Sequence, residues 1–115
     1  MPDLVRPISW LKAAYKEFLT FPLEVQVDMT TALTEAARGR KADTAKPLKG
    51  FDGGVFEIAL KHRGDAFRAI YAVQIGDDIW VVDAFQKKSK SGIKTPQMDV
   101  GRIKERIKRL KEALR

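Results

Sequence analysis

The sequence predicts a small α+β domain, and three observations carry that expectation. Two early stretches repeat apolar residues at helical spacing, the middle alternates apolar and polar residues between glycine-bearing turns, and the end returns to a helical stripe. At 115 residues the chain is one domain, 1–115, with room for a single modest core.

Taken in order, Val5 to Trp10 reads as a short first strand, and Pro7 within it points to a sheet edge. Trp10, Leu11, Ala14, Tyr15, Phe18 and Leu19 then recur at helical spacing. Phe21-Pro22 stops that helix, and Pro22 suits the first turn of a second one running to about Arg38. Met29, Ala32, Leu33, Ala36 and Ala37 form its apolar face, and Gly39 ends it. The two helices are expected to lie antiparallel. Arg40 to Gly54 is polar, holds Pro47, Gly50, Gly53 and Gly54, and reads as a loop.

Three strands follow. Val55 to His62 alternates Phe56, Ile58 and Leu60 with Glu57, Ala59 and Lys61. Arg63-Gly64-Asp65 turns into Phe67 to Ile75, and Gly76-Asp77-Asp78 turns into Ile79 to Gln86, giving an antiparallel meander. These strands are apolar on both faces in places, as expected with helices packed on one side. Asp99 reads as the N-cap of a last helix, whose apolar residues Val100, Ile103, Ile107, Leu110 and Leu114 recur every three or four positions.

Composition narrows the function. Apolar content of 44% with 32% charged residues describes a folded globular chain. No apolar run reaches the roughly 18 residues of a spanning helix. Pro2, Asp3 and Arg6 break any signal pattern, so a cytoplasmic protein with no membrane association is expected. There is no cysteine, and His62 is the only histidine. Disulfide and thiolate chemistry are excluded, and a dedicated zinc or iron site is not expected. The net charge of +7 is concentrated at the end: Gln86 to Arg115 holds 11 basic and 3 acidic residues, leaving 11 basic and 12 acidic before it. In Asp83-Ala-Phe-Gln-Lys-Lys-Ser-Lys-Ser-Gly-Ile-Lys-Thr-Pro96 an apolar strand runs into a basic loop. Fixed cations beside a basic loop suit a polyanion, with RNA as the first candidate.

The order of elements, with Gly53-Gly54-Val-Phe-Glu57-Ile, Phe67-Arg68-Ala-Ile-Tyr71, Ala84-Phe85-Gln-Lys87-Lys88 and Lys94-Thr95-Pro96, resembles the RelE/ParE superfamily of toxins from type II toxin–antitoxin pairs. The HigB-like, phage-related branch is the nearest likeness, over about Leu48 to Leu114. The resemblance implies a RelE-like β-α-α-β-β-β fold, two N-terminal helices on a small antiparallel sheet, with a C-terminal amphipathic helix. It implies metal-independent, cofactor-free cleavage of messenger RNA, often on the ribosome, in which an RNA 2′-hydroxyl attacks the neighbouring phosphate. A cognate antitoxin, expected to be a helix-turn-helix protein, would restrain it. The chain departs from the branch at Ala59, commonly an arginine, at Asp83, often a histidine, and in its lysine-rich last helix.

Such cleavage needs a proton acceptor, cations for the phosphorane and a donor for the leaving oxygen. By resemblance, Arg68 stabilises phosphate, where its fork spans two oxygens. Glu57 orients Arg68 across the strands or transfers protons. One of Lys87 and Lys88 joins them, since the two point to opposite faces of a continuing strand. His62 lies between the cations Lys61 and Arg63, which favour its neutral form and suit a general base. Lys61, on the face of Glu57 and Ala59, substitutes for the absent arginine. With Arg63, Lys90 and Lys94 it is expected to contact RNA. Tyr71 reads as core, while Trp80 suits either stacking or burial. Two rival readings are a ParE-like gyrase inhibitor without nuclease activity and a non-catalytic basic nucleic-acid-binding domain.

Overall fold

The computed structural model describes residues 5–51, 53–87 and 97–114, with Gln97 and Met98 described in their backbone only. Its elements are β1 (Ile8–Trp10), α1 (Lys12–Phe18), α2 (Leu23–Ala37), β2 (Ala45–Pro47), β3 (Val55–His62), β4 (Asp65–Ala72), β5 (Ile79–Lys87) and α3 (Gln97–Ala113). The five strands form one mixed sheet in the order β1-β5-β4-β3-β2. The meander β3-β4-β5 is antiparallel, β2 adds antiparallel to β3, and β1 adds parallel to β5 at the edge. The α+β class and the helix–helix–meander–helix order are those the sequence predicts. No helix among the described residues is long and apolar enough to cross a membrane.

Four details differ from the sequence-based expectation. The expected loop contains β2, whose three residues are too few to display an alternation. Pairing creates it: Ala45 lies opposite Ile58 and is buried, and Pro47 is tolerated because an edge strand can forgo one N–H. The sheet is mixed rather than purely antiparallel, because β1 pairs parallel with β5. Helices also cover both faces. Phe67, Ala69 and Tyr71 of β4 join the α1–α2 core, whereas Ile70 and Ala72 join Ile103, Ile107 and Leu110 of α3. Finally, α3 starts before Asp99, which sits in its first turn and pairs with Arg102 at 2.8 Å. A carboxylate there still complements the helix dipole.

One irregularity decides which face carries charge. Tyr71 lies opposite Val81, but Ile70 lies opposite Asp83, so β5 holds an extra residue, Val82. This β-bulge puts two successive side chains on one side. Strict alternation would send Asp83 with Val81 into the apolar α1–α2 core. Instead Val82 joins the α3-side core, Asp83 meets the arginines of α3, and Ala84 returns to the other face.

Tyr71 is 1% exposed and stacks on Phe56 with ring centroids 5.3 Å apart, as a core position should. Burial pushes its hydroxyl up to about 12. An unfolded tyrosine ionises near pH 10, so the unfolded chain releases that proton first as pH rises. The contribution is fully present below pH 10 and is lost through the window to about 12, roughly 3 kcal/mol in all. Urea unfolding of wild type should weaken more between pH 10 and 12 than that of Tyr71→Phe. Parallel losses in the two proteins would show that Tyr71 ionises unhindered.

Candidate functional site

The α3-facing side of the sheet carries two linked charge clusters. In the first, Glu57 of β3 lies opposite Lys46 of β2, and Arg68 of β4 lies opposite Ala59 and Phe85. Arg68 Nη1 donates to Glu57 Oε2 at 2.8 Å, and Lys46 Nζ stands 4.0 Å from Oε1. Glu57 and Arg68 are only 1% and 5% exposed, while the Lys46 side chain is 56% exposed. A buried ion pair is weak evidence for net stabilisation, because desolvating both charges offsets most of their attraction. Moreover, Arg68 Nε has no hydrogen-bond partner, the one such buried side-chain nitrogen or oxygen among the described residues. A buried donor left unpaired costs about 1–3 kcal/mol, so it calls for an explanation.

The second cluster is centred on Asp83. Its Oδ2 accepts from Arg102 Nε at 2.9 Å and lies 2.8 Å from Arg102 Nη2. Its Oδ1 accepts from the Ala84 N–H at 2.9 Å and from Arg106 Nη1 at 2.8 Å. Burial raises the Asp83 carboxyl above its ordinary value, while the Arg102 hydrogen bond, the Arg102 and Arg106 charges and the Ala84 N–H pull it back. For Arg102, burial acts to lower the value, but Asp83 and Asp99 outweigh it and the guanidinium is held more firmly charged. Arg102 also lies over the Phe85 ring, 5.7 Å from its centroid. Since Phe85 is the cross-strand partner of Arg68, the two clusters meet at that ring.

The fold brings some of the predicted residues together and separates others. Glu57 and Arg68 touch. Lys61 and Lys87 both lie opposite Ala66, one row beyond Arg68, and the register puts them on the same face. His62 lies on the other face, 3.8 Å from Glu24 of α2 and away from Arg68. Arg63 occupies the β3–β4 turn at φ 50°. Lys88, Lys90 and Lys94 lie outside the described residues. An arginine at position 59 would stand directly across from Arg68, where like charges repel. Trp80 is half-buried against the α3-side core.

Sequence reasoning missed Lys46, Asp83, Arg102 and Arg106 as members of the site. Lys46 had no readable signal, since only the pairing of β2 with β3 places it. Asp83 had one: an acid within an apolar strand needs a buried partner. Arg102 and Arg106, four apart beside the apolar stripe of α3, were the matching signal.

No curated protein matches this sequence closely enough to count as a relative. Among solved structures, the chain is similar to one from the toxin–antitoxin complex RelBE2 of Mycobacterium tuberculosis. The identity is 16%, the TM-score 0.47, and the match covers 76% of this chain and 98% of that one. A family model for the phage-derived protein Gp49-like group (DUF891) matches residues 16–108, and the chain belongs to that family.

Proposed function

We propose that this protein is the toxin of a type II toxin–antitoxin pair, on the HigB-like branch, and a metal-independent endoribonuclease acting on messenger RNA at the ribosome in the cytoplasm. The observation that carries this reading is the unpaired Nε of an Arg68 guanidinium already fixed by Glu57 through Nη1. A held cation with a spare donor is prepared for a further oxygen, and a scissile phosphate supplies one. Membership of a phage-derived family and the motif resemblance support the same reading. In it, Arg68 stabilises the phosphorane. Glu57 positions Arg68 and accepts the 2′-hydroxyl proton. Lys46, Lys61, Lys87 and Arg102 bind the strand around them, with Lys88, Lys90 and Lys94 of the basic loop extending the contact. His62 faces the other way and has no step here. With Arg68 5% exposed, the α3 side must open before RNA reaches it. A helix-turn-helix antitoxin that holds this side closed would silence the enzyme.

The burial of Glu57 and Arg68 favours one rival, a ParE-like inhibitor of gyrase that cuts no RNA. Inducible expression in bacteria with 5′-end mapping separates the two. Wild type should give new cuts inside translated frames within minutes. Arg68→Lys, which keeps the charge but loses the fork, should reduce them at least tenfold while its melting temperature holds. Growth arrest with DNA-damage signalling and intact transcripts would instead establish the gyrase-type inhibitor.

A further inference from the structure

Beyond the Glu57–Ile70 row, still on the α3 side, a cleft of about 390 Å³ opens between Gly50, Phe51, Gly53 and Gly54 on one side and the C-terminal half of α3 on the other. Val55, Ile75 and Ile107 give it apolar walls, and the half-buried Phe51 contributes an aromatic one. Lys104, Lys108 and Lys111 line the helical side at positions i, i+4 and i+7, which share one face and span roughly 10 Å. Lys104 Nζ is 5.8 Å from the centre of the Phe51 ring. Across from the lysines, Gly54 holds φ +72°, and a Cβ there would come within 2.7 Å of the Gln74 side chain. That wall is therefore bare backbone beside an exposed amide, a donor and acceptor able to meet a base edge.

The charges of α3 divide by residue type. Arg102, Arg106 and Arg109 are each matched to a carboxylate: Asp83 and Asp99, Asp83, and Glu105. Among the described residues, no carboxylate pairs with Lys104, Lys108 or Lys111. Three unneutralised cations along one edge of an aromatic-walled apolar cleft fit a ligand with a flat body and anionic groups at regular spacing. An acidic peptide matches the lysines but leaves the aromatic and apolar walls unused. A single-stranded nucleotide matches both, its base against Phe51 and its phosphates on the lysines.

We infer that this cleft takes one unstacked base of single-stranded RNA, anchoring the strand beyond the Glu57–Arg68 ion pair through Lys104, Lys108 and Lys111. The inference rests on RNA being the substrate, as proposed above. The probe is a twelve-nucleotide single-stranded RNA with every 2′-hydroxyl methylated, so that it binds without being cut, followed by fluorescence anisotropy across a salt series. Lys108→Ala/Lys111→Ala should weaken binding about tenfold and lower the salt slope by roughly 1.4. Lys12→Ala/Lys16→Ala on α1, an equal charge change remote from the cleft, should leave both unchanged. Phe51→Ala should weaken binding of the intact strand but not of one lacking bases. Equal weakening by the two lysine pairs would reduce the cleft to general attraction and overturn the inference. So would selective loss of a twelve-residue poly-glutamate in the cleft variant with RNA binding intact. Failure of the wild type to bind the RNA at all would instead bring down the substrate reading itself.

Discussion

Arg68→Ala is expected to destabilise the domain by about 3–5 kcal/mol, because it removes the buried guanidinium paired with the Glu57 carboxylate in a site 1% exposed. Lys46 Nζ, 4.0 Å away on a side chain more than half exposed, compensates in part and favours the lower end. Even that is a large share of the 5–15 kcal/mol typical of a native domain, and lowers the melting temperature by roughly 10–20 °C. Loss of growth inhibition in Arg68→Ala would therefore report unfolding as much as chemistry. Glu57→Met/Arg68→Met removes both charges at similar volume and should stay within about 2 kcal/mol of wild type, or exceed it. Urea unfolding of the single and double variants checks this. A single variant costing under about 1 kcal/mol would show that Glu57 reaches water.

The Asp83 cluster should respond asymmetrically. Asp83→Asn leaves Arg106 without its counter-charge and Arg102 with Asp99 alone, but their side chains are 25% and 38% exposed and can hydrate. A cost of about 1–2 kcal/mol follows from the lost charge-assisted bonds. Arg102→Ala/Arg106→Ala instead leaves a carboxylate, 3% exposed, with the Ala84 N–H as its remaining donor, and about 3–4 kcal/mol is expected. Both variants should speed amide exchange in α3, which these arginines tie to β5. Chemical denaturation with hydrogen exchange measures both effects. If Asp83→Asn costs more than the double arginine variant, the carboxylate is the solvated member and the arginines are the buried ones.

The sequence by itself determined both early helices, the meander after them and the apolar stripe of α3, because each is written in local periodicity. Arg68 and Glu57 were legible as a pair for the same reason: both are charged positions on facing strands, close enough in register to meet. Tertiary structure alone decided the rest. β2 exists because the edge of β3 offers hydrogen bonds, and that pairing brings Lys46 to Glu57. The bulge at Val82 turns Asp83 toward α3, where alternation would have turned it toward α1 and α2. Docking of α3 on the second face then gathers Arg102 and Arg106 around that carboxylate and opens the lysine-lined cleft at its far end. Periodicity reports which residues share a face of one element, but which faces meet depends on pairing and packing between segments far apart in the chain.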